Sequence, residues 1–208
     1  MSQSAIEWTD QTWNPVTGCS KVSEGCDNCY AETLAVGRLK GKAGYPGLPW
    51  TPENAAQNVV LRPERLDQPT RWRKPSMVFV NSMSDLFHPR IPGDYITQVF
   101  DVMERCPQHI FQVLTKRPKR MRDWTRKYRP EPLQNVWLGA SIESRAYVGR
   151  ADLLRETHAA VRFISAEPLL GPLVPGDGIP RIGYRDWLDL TLIDWLIVGG
   201  ESGEGFRP

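Results

Sequence analysis

No stretch of this sequence approaches the roughly 18 consecutive apolar residues that a membrane-spanning helix requires, and no basic-then-apolar leader opens it. Charge of one sign is nearly missing as well. The 26 Lys and Arg stand against 24 Asp and Glu, and a formal +2 is too small to imply a nucleic-acid partner by itself. Histidine is scarce, with His88, His109 and His158 scattered along 208 residues, and cysteine is limited to 4. So few cysteines in a chain of this length argue against a disulfide framework and for a reducing, cytoplasmic setting. Low-complexity tracts are absent too, and the length fits a single α/β domain over residues 1–208.

Three of the four cysteines stand within eleven residues, in TGCSKVSEGCDNCYAE at 17–32. Structural zinc normally takes four protein ligands in two pairs, and no second Cys-x-x-Cys or Cys/His pair occurs here. Three clustered thiolates at Cys19, Cys26 and Cys29 suit an iron-sulfur cluster with one iron left open to a small molecule. Zinc completed from a distance, in a non-catalytic nucleic-acid-binding module, is the alternative. The three thiols are expected to share one site, with Cys106 apart at a helix end before Pro107.

Short β-branched and aromatic runs alternate with helical spacing, the pattern of repeated strand-helix units. Strands are expected at 12–18, 58–62, 77–81, 110–115, 136–141, 161–166 and 195–200. Helices are expected at 26–40, 92–106, 119–128 and 145–157, with a short one at 63–68. Runs apolar throughout, such as MVFV and WLIV, fit strands covered on both faces. The fold class is therefore α/β: a partial or open (β/α) TIM-like barrel, parallel strands with helices outside. Polar or small residues close each strand, and in barrels that carboxyl edge carries the chemistry. The sequence stops at GGESGEGFRP directly after a strand, so a covering C-terminal segment is expected beyond it.

Several residues on these edges invite a role. Asp85 and His88 in NSMSDLFHP suit proton transfer, and the bland reading of His88 is a turn residue before Pro89. Glu143 in SIES and Glu167 in SAEPLL suit a ribose hydroxyl or an amine, or else a salt bridge to a nearby Arg. Lys116 and Arg117 suit an anion. The segment from Thr115 to Arg129 holds eight Lys or Arg against one Asp. With Trp124 and Tyr128 it reads either as a solvated helix face or as a groove for single-stranded nucleic acid.

The blocks IEWTDQTWNPVTGCSKVSEGCDNCYAE, VNSMSDLFHP, LTKRP, WLGASIES, FISAEPLLGPL and DWLIVGGESG together resemble a phage- and mobile-element-associated three-cysteine family of unassigned function. That family is similar to radical SAM enzymes. The resemblance implies a 4Fe-4S cluster on Cys19, Cys26 and Cys29, S-adenosylmethionine on its open iron, and an external electron donor. It implies hydrogen abstraction from a substrate, here a nucleotide or nucleic-acid component. Cofactor contacts are then expected from Tyr30, Asn81, Glu143, Gly199, Gly200 and Glu201, and catalytic roles from Asp85, His88, Lys116 and Glu167. Two departures stand out. Six residues separate Cys19 from Cys26 where three are usual, and Asn28 occupies the place of an aromatic, with Tyr30 one step later.

Overall fold

A computed structural model describes residues 4, 6–175, 187–201 and 207. Six parallel strands form one open sheet in the order β1-β4-β5-β6-β7-β8, with β1 Gln11–Trp13, β4 Met77–Val80, β5 Ile110–Thr115, β6 Val136–Ser141, β7 Val161–Ala166 and β8 Trp195–Val198. The register runs Trp13↔Val80, Val80↔Val113, Thr115↔Ala140, Ser141↔Ser165 and Ser165↔Ile197, so every carboxyl end lies on one side.

The expected first strand is two. Proline at 15 has no N–H to give a ladder, and the chain breaks there, leaving β2 Val16–Thr17. The expected strand at 58–62 does not join the sheet. Only β3, Val60–Leu61, pairs, antiparallel to β2. Its place beside β1 is taken by β4 through Gln11↔Val78, and Pro63 opens a 3-10 turn that ends β3. The barrel strands among the described residues are thus six rather than seven.

Helices cover the outer face. In α3, Gly93–Glu104, the positions Tyr95, Ile96, Val99, Phe100, Val102 and Met103 fall on one buried stripe, as a 3.6-residue period requires. Helix α4, Pro118–Tyr128, starts with proline at its first turn, where the missing N–H costs nothing. Met121, Trp124 and Thr125 turn inward. Arg150–Arg155, α5, is shorter than the expected 145–157, whose first turn is 3-10. Helix α1, Tyr30–Val36, likewise begins only after Cys29 and stops at Gly37, inside the expected 26–40. The remaining helix, α2, spans Ala55–Asn58. Stripes from α3, α4 and α5 share one core with Val78, Val80, Phe111, Val113, Val136, Leu138, Ala140 and Ile164 from the strands.

The other sheet face carries aromatic residues at its amino-terminal end. Trp8 lies across it: its carbonyl accepts from Gln112 Nε2 on β5 at 3.0 Å, and its ring meets Phe79 on β4 at 4.7 Å and Trp195 on β8 at 6.2 Å. Phe79 and Trp195 are four strand positions apart, roughly 19 Å in a flat sheet, so one ring reaches both because the sheet curls. A Cβ on Gly139 would lie 2.5 Å from the Phe163 ring, so glycine there lets that ring lie flat on β6. This layer closes the floor below the strand ends.

Candidate functional site

Above the aromatic floor, at the carboxyl ends of the strands, lies a cleft of about 730 Å³. Cys19, Cys26 and Cys29 all open onto it, while Cys106 is buried in the main core. Gly18, at φ +79°, brings the chain so close to Asn58 that a Cβ would sit 1.8 Å from its carbonyl oxygen, and Cys19 leaves from this corner. Cys26 closes a 3-10 turn, Glu24–Cys26, and Cys29 is the extended residue at the amino end of α1. Burial pushes the Cys19 thiol up to about 12, with the Asp85 carboxylate adding to it and the Arg117 cation opposing; burial also raises Cys29. Both stay thiols in the free protein, so a metal bound there would have to displace their protons. Among the described residues no three His, Cys, Asp or Glu side chains stand close enough together to hold a single metal ion. The three thiols share this cleft as separate lining groups.

Arg117 anchors the Cys19 end. Its Nη1 donates to Asp85 Oδ2 at 2.8 Å and to Cys19 Sγ at 3.5 Å, and its Nη2 donates to the Ser20 carbonyl at 2.9 Å and hydroxyl at 3.3 Å. Asp85 also accepts from the Thr115 hydroxyl at 2.7 Å and the amides of Phe87 and Lys116 at 2.9 and 3.2 Å. Its oxygens are thus occupied by the protein. His88 accepts the Arg90 amide on Nδ1 at 3.2 Å, which leaves the proton on Nε2, 2.9 Å from Ser20 Oγ. Burial, then the Arg117 charge, lowers His88 to about 4. It is buried behind Ser20 and does not face the cleft, whereas Asp85 and Ser20 do.

Lys116 lines the cleft and pairs with Glu143 at 3.1 Å. Burial works against the Lys116 cation, and Glu143 with the nearby Cys26 and Cys29 outweighs it, so its pKa rises. Glu143 itself is fully buried beneath the wall and takes Arg150 on its other oxygen at 2.8 Å, the salt-bridge arrangement rather than a contact open to a ligand.

On the opposite wall, Glu167 and the hydroxyls of Ser141 and Ser165 line the cleft. Gly199 lets Glu167 lie close, since a Cβ there would be 3.1 Å from its carboxyl carbon. Asn81, at φ +63°, lines the β4 end; its Oδ1 faces the Val16 amide at 3.4 Å, and its buried Nδ2 has no partner among the described residues. Tyr30 donates to the Ser82 carbonyl at 2.7 Å, and burial raises its pKa. Gly200 and Glu201 complete the rim, while Ser202 lies outside the described residues. Glu201 accepts from Asn28 Nδ2 at 2.9 Å and from Arg207 Nη2 at 2.7 Å, and these bonds, Arg207 first, hold its carboxyl down to about 2.

The basic segment is largely paired. Lys116 and Arg117 turn into the site, Arg120 binds the His88 and Ile91 carbonyls, Arg122 and Arg126 meet Glu156, Lys119 meets Asp123, and Arg129 meets Asp101. Trp124 is 5% exposed, packed on Phe100 at 4.6 Å, so it is core and not the stacking platform its sequence position suggested. Ser141 and Ser165 belong to the polar strand ends that the sequence marks, whereas Ser20, Arg150 and Arg207 were not singled out from sequence. Only Arg207 carried a hint, as the cation following GGESG.

An open, curled parallel α/β sheet with a three-thiol cleft at its carboxyl edge is the class that these features define. The chain belongs to the family described as protein of unknown function (DUF5131), which matches residues 3–208. No curated protein and no solved structure matches it.

Proposed function

We propose that this chain is an iron-sulfur protein of the radical SAM type, acting in the cytoplasm on a nucleotide or nucleic-acid component, as its resemblance to phage- and mobile-element-associated three-cysteine proteins suggests. The observation that carries the reading is the convergence of Cys19, Cys26 and Cys29 on one cleft at the strand carboxyl ends. A cluster bound there would supply the electron that cleaves the sulfonium of S-adenosylmethionine. The chain's own residues do the rest. Arg117 holds the Cys19 corner, and Lys116 sets a positive charge beside Cys26 and Cys29. Ser141, Ser165 and Glu167 offer hydroxyls and a carboxylate to a ribose, and Trp8, Phe79 and Tyr30 supply apolar wall that excludes water. Asp85, His88 and Glu143 serve as supports. Turnover requires an external electron donor. Because most cations of residues 116–129 are paired within the protein, a nucleotide-sized substrate fits better than a polynucleotide lying along them. No helix among the described residues is long and apolar enough to cross a membrane.

Anaerobic reconstitution with iron and sulfide tests the reading. Absorbance near ~400 nm and about four irons per chain are expected. Both should be lost in C19A, C26A and C29A and kept in C106A. Zinc in place of iron, or loading indifferent to those cysteines, overturns it.

A further inference from the structure

The six residues between Cys19 and Cys26 are where the sequence departs from the usual spacing, and the fold gives most of them a fixed contact. Ser20 is held by Arg117 and His88, and the Lys21 amide donates to the Trp50 carbonyl at 3.0 Å. The Ser23 hydroxyl donates to Glu143 Oε1 at 3.0 Å, and Glu24 Oε1 accepts from the Ser144 hydroxyl at 2.6 Å. Gly25 then passes directly over Glu143, where a Cβ would meet Cγ at 2.4 Å and Oε1 at 2.8 Å. The Cys26 amide donates back to the Ser23 carbonyl at 2.9 Å, so the residue that docks on Glu143 also turns the chain that presents Cys26.

We propose that Glu143 is the positioning residue of the cysteine loop, and that the long spacing is a docking segment that sets Cys26 before any metal arrives. The inference rests on the reading that the three cysteines share one site. Glu143 is suited to the task because it is fixed from two sides. Lys116 from the end of β5 and Arg150 from α5 hold its two oxygens, at 3.1 and 2.8 Å, and leave Oε1 aimed at Ser23. A buried carboxylate with two cations does not rotate freely. Whatever it binds in the loop inherits that rigidity. The pair Glu143 and Ser144 therefore grips Ser23 and Glu24, and the strand end, not the metal, defines the loop's path.

The test uses reduced, metal-free full-length protein. Hydrogen exchange over residues 20–29 and the alkylation rate of Cys26 by iodoacetamide are compared among wild type, E143Q, E143D and S23A, with Cys106 as the internal control. Losing one hydrogen bond to the buried carboxylate should speed loop exchange and Cys26 alkylation about tenfold in S23A. Cys106 should stay unchanged. E143D keeps a charge for Lys116 and Arg150 but is one methylene short of Ser23, so it should follow S23A; E143Q should exceed both. S23A changes no charge but also removes a hydroxyl 3.9 Å from Cys26 Sγ, so loop hydrogen exchange, which does not depend on thiol acidity, decides the matter, including should E143Q fail to fold. Loop protection equal to wild type in S23A and E143D overturns the proposal, as does Cys106 accelerating in step with Cys26. Wild-type protein that takes up no iron would defeat the cluster reading while leaving this comparison intact. Once loaded, wild type should also lose iron to a chelator about tenfold more slowly than S23A.

Discussion

His88 illustrates how a residue with a catalytic look is used as a support. Both ring nitrogens are engaged, and burial keeps the ring neutral with a pKa near about 4. Between about 6.5 and 4 the unfolded chain takes up a proton that the folded chain refuses, so stability falls as pH drops through that window. Urea midpoints measured from pH 7 to 4 should show this decline in wild type and a shallower one in H88Q; parallel curves would refute the assignment. Arg117 carries a larger burden. Replacing it with Gln strands the Asp85 carboxylate, 6% exposed, without its cation and frees the Ser20 carbonyl. A cost of about 3 kcal/mol in denaturant unfolding is expected, with R117K recovering only part because a lysine ammonium cannot span Asp85 and Ser20 together. A loss under about 1 kcal/mol would mean that the pair is solvated enough to be dispensable.

At the scale of elements, α4 shows where sequence reasoning stops. Its periodicity and the proline at its start made the helix legible, and its eight flanking and internal cations made a nucleic-acid face plausible. Nothing local says that Glu156, Asp101 and Asp123 will meet those cations, because two of the three partners come from other helices or their ends. Changing Lys119, Arg120, Arg126 and Lys127 to Gln should therefore alter affinity for a single-stranded oligonucleotide by less than about threefold. A wild-type log-log salt slope near -0.7 for each of several phosphates would restore the polynucleotide reading. The strands followed a similar rule. Fully apolar runs such as 77–80 and 195–198 were legible because a sheet covered on both faces demands them. NVVLR at 58–62 has a β-branched and apolar centre too, but the slot beside β1 goes to β4, a long-range matter, and β3 pairs with β2 in a ribbon. The cysteines marked the candidate site by their clustering, and Glu143 and Lys116 were marked singly at their strand ends; that Arg150 joins them was not legible, since the trio brings together two strand ends and a helix.

The whole molecule holds its cysteine loop from the middle of the sheet and from one edge. Arg117 and Glu143 grip it from the middle strands, and the residues after β8 grip it from the edge: Glu201 takes Asn28, while Arg207 donates to the Glu24 carbonyl at 2.8 Å and pairs with Asp27 at 3.6 Å. Asp27 and Asn28 are the two residues between Cys26 and Cys29, so this clasp acts on the closest-spaced pair of thiols. Glu201, expected from the resemblance to contact the cofactor, is occupied by the protein's own guanidinium, and a ligand cation would have to displace Arg207 to reach it. The clasp should be constant across neutral pH. The Glu201 carboxyl is held at about 2, so its contribution is complete above roughly 4.5 and fades only as pH falls toward 2. R207Q removes the guanidinium bonds to Glu201, Glu24 and Asp27 at once. Amide protection factors over residues 24–28 are then expected to drop several-fold at both pH 5 and pH 8, with those of β5, β6 and β7 unchanged. A local drop ties the end of the sheet to the thiol pair; unchanged protection in R207Q would show that the strand-end anchors at Glu143 and Arg117 hold the loop unaided.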